Sequence, residues 1–288
     1  MLELIWLFLE GWQGGMAACC AGRLGKRRRR GQICAMLPVL FLSHGSPMTA
    51  IMDTPARRFL QGLGGMLPRP EAILVASAHW EAEAPRVSAP ARNETIHDFY
   101  GFPAPLYELN YAAPPAPALA ARAAGLLGAA VDTERGLDHV AWVPLLLGWP
   151  EAEIPMAQVS IQTRLGARHH LDLGAALAPL RDEGVLIIGS GSFTHDLRRL
   201  RRSMDLAAPE TADVTAFSDW MDAAIMAGDL EALAAYRTRA PYAAEEHPTE
   251  EHLLPLHVAA GAGGASKVER MHSSVEFGFL RMDAYRFG

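Results

Sequence analysis

LPVLFLSH at residues 37–44 and AILVASAH at residues 72–79 decide how this chain folds. Each is an apolar run of strand length that ends on a histidine, and neither alternates polar with apolar side chains. Continuous runs of that kind are strands covered on both faces, as in a parallel sheet packed between helices. In open α/β sheets, ligands bind in the crevice beyond the carboxyl ends of the strands. His44 and His79 therefore emerge on the rim where a ligand sits, which separates them from ordinary surface histidines.

Outward from these two runs, PMAQVSI at 155–161 and GVLIIG at 184–189 read as further strands. Residues 54–62, 115–129, 168–181, 212–226 and 250–260 read as helices. Pro248 suits the first turn of the last one, with His252 projecting from that turn and Pro255 bending the helix. Strands alternating with helices predict an α/β fold: a single domain with a central, largely parallel or mixed sheet flanked by helices. No internal repeat or long polar linker divides residues 36–288. The longest irregular stretch, residues 81–114, centres on HDFYGFPAPLYELNY, and loops of that length in a compact domain are usually functional.

Residues 1–35 have a different character. An apolar start, LELIWLFLEGW, is too short to span a bilayer, and the KRRRR cluster follows it instead of preceding it, opposite to a secretory signal. The expectation is a disordered tail, or a start assigned ahead of a true first residue at Met36. A peripheral lipid anchor is a third reading, and membrane association is not the expected one. Of 26 Lys/Arg and 32 Asp/Glu, this stretch holds six and two, leaving 20 against 30 and a formal charge near −10 on residues 36–288. A body of that charge without a basic stripe lacks the main source of nucleic-acid affinity. All three cysteines (Cys19, Cys20, Cys34) precede Met36, and Lys267 is the single lysine after it. Thiol catalysis and Cys-ligated metal centres are thereby excluded from the body, and a cytoplasmic location is expected. The chemistry left is that of histidine, carboxylate, hydroxyl or a metal ion.

A lone histidine is more often a hydrogen-bonded structural residue than a ligand. Here His44, His79, His195 (in SGSFTHDL) and His252 (in TEEHLLPLH) all sit in turn-like contexts where an element ends. His44 runs into Gly45–Ser46–Pro47, and Gly189 and Gly191, before His195, are expected to let backbone approach a ligand closely. His139 stands in the polar island RGLDHVAW, with Asp138 beside it as a candidate to orient a ring. Glu250 and Glu251 adjoin His252 and read more simply as solvated charges at a helix start. His97 and Tyr100 are candidate substrate contacts because they lie in the aromatic loop with Phe99, Phe102, Tyr107 and Tyr111. His169 and His170 are expected on a solvated helix face. His272 reads as an ordinary surface or strand residue, and His247 and His257 lack the turn context of His252. GSGS at 189–192 completes neither a nucleophile elbow nor a dinucleotide loop. Histidine-rich ligation without cysteine suits Zn(II), Fe(II), Mn(II) or Cu(II), and three protein ligands leave positions open for substrate.

Taken in order, LFLSHGSPM, RPEAILVASAHWE, IHDFYGFPAPLYELNY, GLDHVAWVPL, IPMAQVSIQ, IIGSGSFTHDLR, HPTEEHLLPLHVA and MDAYRF resemble the class III extradiol ring-cleavage dioxygenases. The likeness is to the DOPA-dioxygenase branch, whose fold is related to the catalytic subunit of protocatechuate 4,5-dioxygenase, and it spans residues 36–288. The resemblance implies that His44, His79 and His252 bind one metal ion per chain, Fe(II) or Zn(II). It implies that His195 is an acid/base residue and a possible fourth ligand, and that His139 contacts substrate or oxygen. The substrates implied are a catechol and O₂, and the product is a ring-opened semialdehyde. Val140 and Asp196 depart from the glycine and asparagine common in that family, and Asp196 is expected to raise the pKa of His195. Two rivals remain at this level: a zinc hydrolase that uses the same histidines to activate water, and a metal-binding protein without catalysis.

Overall fold

The computed structural model describes residues 36–201, 204–264 and 267–288. The expectation for residues 1–35 lies outside the described residues. Ten strands are present among the described residues: β1 (Val39–Ser43), β2 (Ala72–Glu81), β3 (Arg86–Ser88), β4 (Ala130–Asp132), β5 (Met156–Ile161), β6 (Val185–Gly191), β7 (Val268–His272), β8 (Val275–Glu276), β9 (Leu280–Arg281) and β10 (Ala284–Phe287). Eight of them form one sheet in the order β4-β3-β5-β2-β6-β1-β10-β7, and β8 pairs with β9 apart from it. The centre, β5-β2-β6-β1, is parallel throughout, whereas β3 runs antiparallel to β5, and β10 to both β1 and β7. The sheet is therefore mixed, with the expected parallel core.

Among the described residues nine α-helices flank it: α1 (Pro55–Gly62), α2 (Pro117–Leu127), α3 (His139–Gly148), α4 (Gly166–Leu177), α5 (Ala212–Met226), the short α6 (Leu230–Ala234), α7 (Tyr236–Arg239) and α8 (Ala243–Glu246), and α9 (Leu254–Gly263). Successive side chains of a strand point to opposite faces, and both faces of the central strands are buried. Val39, Phe41, Leu74 and Ile187 pack with Leu119 of α2, Leu171 of α4 and Val258 of α9. Leu40, Leu42, Ile73, Val75 and Ile188 pack with Leu60 of α1 and Trp142 and Leu145 of α3. Burial on both sides is why these strands read as unbroken apolar runs.

Two expectations need correction. The polar island at Asp138–His139 is the start of a helix: Asp138 caps α3 by accepting from Ala141 N at 3.1 Å. All but one of the ten residues of α3 are buried, so no polar face marks its period in the sequence. The last helix begins at Leu254, with Pro255 in its first turn, so Pro255 starts the helix instead of bending it, and His252 lies two residues ahead of it.

Candidate metal centre

Five histidines converge at the carboxyl ends of β1, β2 and β6. His44 follows β1 directly, and its amide donates to Gly191 O at 2.9 Å. His79 lies within β2, where the pairing with β5 slips between Ala76 and Glu81; a bulged segment of this kind re-aims side chains. His139 opens α3, and His195 lies four residues beyond β6, its amide donating to Glu246 O at 2.8 Å. His252 is set against β6 by backbone contact: Ser192 N donates to His252 O at 2.8 Å. Gly191 permits that approach, because a Cβ there would fall 2.1 Å from His252 O, and one at Gly189 would fall 2.0 Å from Pro255 O. The two glycines thus admit the segment that carries His252, where the sequence pointed to a ligand.

The ring of His44 lies 6.0, 5.4 and 5.5 Å from those of His79, His139 and His252, centroid to centroid. His79 is 4.6 Å from His139 and 5.1 Å from His252, and His195 stacks on His252 at 3.4 Å and 15°. The rings of residues 44, 79 and 252, drawn from three separate parts of the chain, thus surround one small volume. His44, His139 and His252 are buried, while His79 and His195 are partly exposed and mark the open side.

Carboxylates face the outer nitrogens of this cluster. Asp98 places Oδ2 2.6 Å from His79 Nδ1 and Oδ1 2.8 Å from His139 Nδ1, while Glu251 Oε1 lies 3.0 Å from His252 Nδ1. Although burial opposes ionisation, hydrogen bonds from His139 and His79 hold Asp98 far below the usual carboxylate range. Burial above all, and then the neighbouring imidazoles, push His44 and His252 well below the ordinary histidine value. Burial also takes His195 down to about 3. Asp196 acts on His195 in the expected upward sense, but its carboxylate is engaged by Arg198 and Arg199, and burial outweighs it.

These rings fit a cation. An ionised carboxylate beside Nδ1 keeps the ring proton there and leaves Nε2 as a bare lone pair. His79 Nε2 and His252 Nε2 then face one another at 3.1 Å, lone pair to lone pair. Such an approach is repulsive unless a positive ion lies between, and two imidazoles that share one zinc-like ion at about 2.0–2.1 Å each stand about this far apart. Both nitrogens of His44 are buried without a hydrogen-bond partner among the described residues. Donor atoms close enough to share an ion form two groups among the described residues, His79–Asp98–His139 and His195–Glu251–His252, and His44 belongs to neither.

Residues 38–288 match the family described as the catalytic LigB subunit of aromatic ring-opening dioxygenase. The chain belongs to this family. It is 47% identical over 257 residues to the 4,5-DOPA dioxygenase extradiol of Beta vulgaris, covering 86% of this chain and 95% of that protein. To the protein of the same name from Escherichia coli K12 it is 39% identical over 263 residues, covering 88% and 95%. The crystal structure of an uncharacterized protein of Escherichia coli K12 superposes with a TM-score of 0.74 at 35% identity, covering 88% of this chain and all of that one. As a LigB-family protein, the chain is a ring-cleaving dioxygenase.

Within this LigB-family site, the structure reassigns several sequence readings. Asp138 orients no ring: its carboxylate accepts from Ser77 Oγ at 2.7 Å and from Arg135 at 2.6 Å, which ties α3 to β2. The carboxylate that does touch His139 is Asp98, a residue the sequence reading passed over in favour of its neighbour His97. Its one visible signal was a position in the long loop beside that histidine. His97 braces the loop, with Nε2 donating to Leu109 O at 3.0 Å and its ring among Phe99, Tyr107 and Trp142. Tyr100 is 92% exposed. Phe99 meets His139 edge to face at 5.5 Å, so the aromatic loop does border the centre. His170 is buried instead of solvated, accepting from Gln162 N at 3.0 Å. His247 and His257 are buried structural residues bonded to backbone carbonyls. No helix among the described residues is long and apolar enough to cross a membrane.

Proposed function

We propose that His44, His79 and His252 hold one Fe(II) or Zn(II) ion and that the site opens a catechol with O₂ to a ring-opened semialdehyde. The facing Nε2 atoms of His79 and His252, 3.1 Å apart, carry this reading. An iron ion bound there supplies Lewis acidity toward the catechol hydroxyls and an oxygen-activating redox centre. The remaining steps belong to the protein. His195, kept neutral by burial, has a lone pair to take a proton from a substrate hydroxyl and returns it to the departing oxygen. Negative charge that develops on the substrate favours the protonated ring, which offsets its depressed basicity. His139 offers Nε2 toward the shared volume, since its Nδ1 is occupied by Asp98. Phe99, with His97 behind it and Tyr100 on the exposed rim, forms the wall against which a planar ring packs. Holding both reactants against this wall makes their encounter intramolecular.

The cytoplasmic location expected from the cysteine-free body belongs to the same reading. The test is an oxygen electrode: anaerobically iron-loaded protein mixed with a panel of catechols is expected to take up O₂ as a yellow product forms. Hydrolysis without O₂ uptake would replace this reading with the zinc hydrolase. Metal binding with no turnover of any catechol would leave only a metal-binding protein.

A further inference from the structure

We infer that Asp98 is a positioning residue that fixes His79 and His139 in the same ring tautomer, so that one side chain sets the metal-facing nitrogen of one and the free nitrogen of the other. The inference deepens the reading above and rests on it for the role of His79. Each oxygen of Asp98 has its own ring: Oδ2 takes His79 Nδ1 at 2.6 Å, and Oδ1 takes His139 Nδ1 at 2.8 Å together with the His139 amide at 2.9 Å. An ionised carboxylate only accepts, so both rings carry their proton on Nδ1 and both Nε2 atoms are bare.

The loop that presents Asp98 is held on both sides. Ile96 N donates to Leu137 O at 2.7 Å, and Trp142 Nε1 to Ile96 O at 3.0 Å. With His97 bonded to Leu109 O, the segment is anchored to the start of α3 on one side and to its own returning strand of loop on the other. Asp98 therefore acts as a bridge of fixed length between β2 and α3, and it couples ion affinity at His79 to the accepting capacity of His139.

The two oxygens are not equivalent, and this gives the inference a specific test. In Asp98→Asn the amide oxygen belongs at the Oδ1 position, where two donors from His139 converge, which turns the NH₂ toward His79 Nδ1. His79 must then carry its proton on Nε2, where it blocks the cation, while His139 is unchanged. Long-range ¹H–¹⁵N spectra of the metal-free full chain read the tautomers, with His79→Gln and His139→Gln to assign the signals. The wild type is expected to show both rings protonated at Nδ1. In Asp98→Asn the His79 signal is expected to switch alone, and Zn(II) affinity, measured by chelator competition, to fall 10- to 100-fold.

Wild-type spectra with either ring protonated at Nε2 would overturn the inference, as would Asp98→Asn with unaltered Zn(II) affinity. So would a loss of affinity with the His79 signal unmoved, since that is what a merely structural role gives. If Asp98→Asn does not fold, the wild-type spectrum alone decides. None of these readouts needs a catechol, so a failed oxygen-uptake assay leaves them standing.

Discussion

The carbonyl oxygen of His252 sits where a side chain on Gly191 would be, 2.1 Å from the Cβ that any other residue would place there. Ser192 N reaches the same oxygen at 2.8 Å, so the ring of His252, proposed above as a metal ligand, is located by strand β6 through backbone. Gly191→Ala is expected to push the 250–254 segment away from the sheet. Overpacking of this kind costs about 1–3 kcal/mol, and Zn(II) affinity should fall as His252 withdraws from His79. Thermal unfolding together with Zn(II) competition checks both parts; an alanine variant with unchanged affinity would mean that the glycine is incidental to the site.

His195 stacks on His252 at 3.4 Å, yet its own role is proposed as proton transfer. His195→Ala should therefore keep metal content near that of the wild type and lower turnover by about 10²–10⁴-fold, the usual contribution of a positioned acid/base group. Metal analysis and steady-state rates on the same preparation separate the two. Normal turnover removes His195 from the mechanism, and loss of the metal makes it a ligand.

How much of this centre could be read from the chain depended on where its information lies. His44 and His79 were legible because β1 and β2, buried on both faces, are unbroken apolar runs that lead into a histidine: His44 follows β1 directly, and His79 lies two residues before the end of β2. Asp98 was not, since it lies 19 residues from His79 and 41 from His139 in the sequence, and only the folded loop brings its two oxygens to their rings. Asp138, adjacent to His139, looked like the orienting group, but adjacency at a helix start makes a cap, and its carboxylate turns to Ala141, Ser77 and Arg135. The strands β7 to β10 were hidden for a related reason. They are short, and β10 finds its partner β1 more than 240 residues away in the chain.

One structural histidine predicts how stability varies with pH. Burial lowers His170 to about 3, and its hydrogen bonds are those of a neutral ring: Nδ1 donates to Gly166 O at 2.7 Å and Nε2 accepts from Gln162 N at 3.0 Å. It is thus neutral in the folded protein where the unfolded chain, with its ordinary value near 6.5, takes up a proton. Its stabilising contribution is complete above pH 6.5 and is lost as pH falls toward 3. Between pH 7.5 and pH 5 it should cost roughly 2 kcal/mol. Urea unfolding of metal-free protein at the two pH values measures this, and His170→Gln should reduce the difference. A difference that His170→Gln leaves unchanged would contradict the assignment of this ring as neutral.

His44 gives the sharpest separation of stability from function. It is 3% exposed, and both ring nitrogens lack a hydrogen-bond partner among the described residues. A buried polar group left unpaired costs about 1–3 kcal/mol, and replacing it with an apolar group of similar volume removes that cost. In metal-free protein, His44→Leu should therefore unfold at a higher temperature than the wild type. With Zn(II) added the order should reverse, because the wild type gains the ligand's binding free energy and the leucine variant, short of one donor, gains far less. Calorimetric scans of both proteins with and without Zn(II) give all four values. A leucine variant that is less stable without metal, yet is still stabilised by Zn(II) like the wild type, would show that His44 belongs to the packing and that the ion is held by other donors.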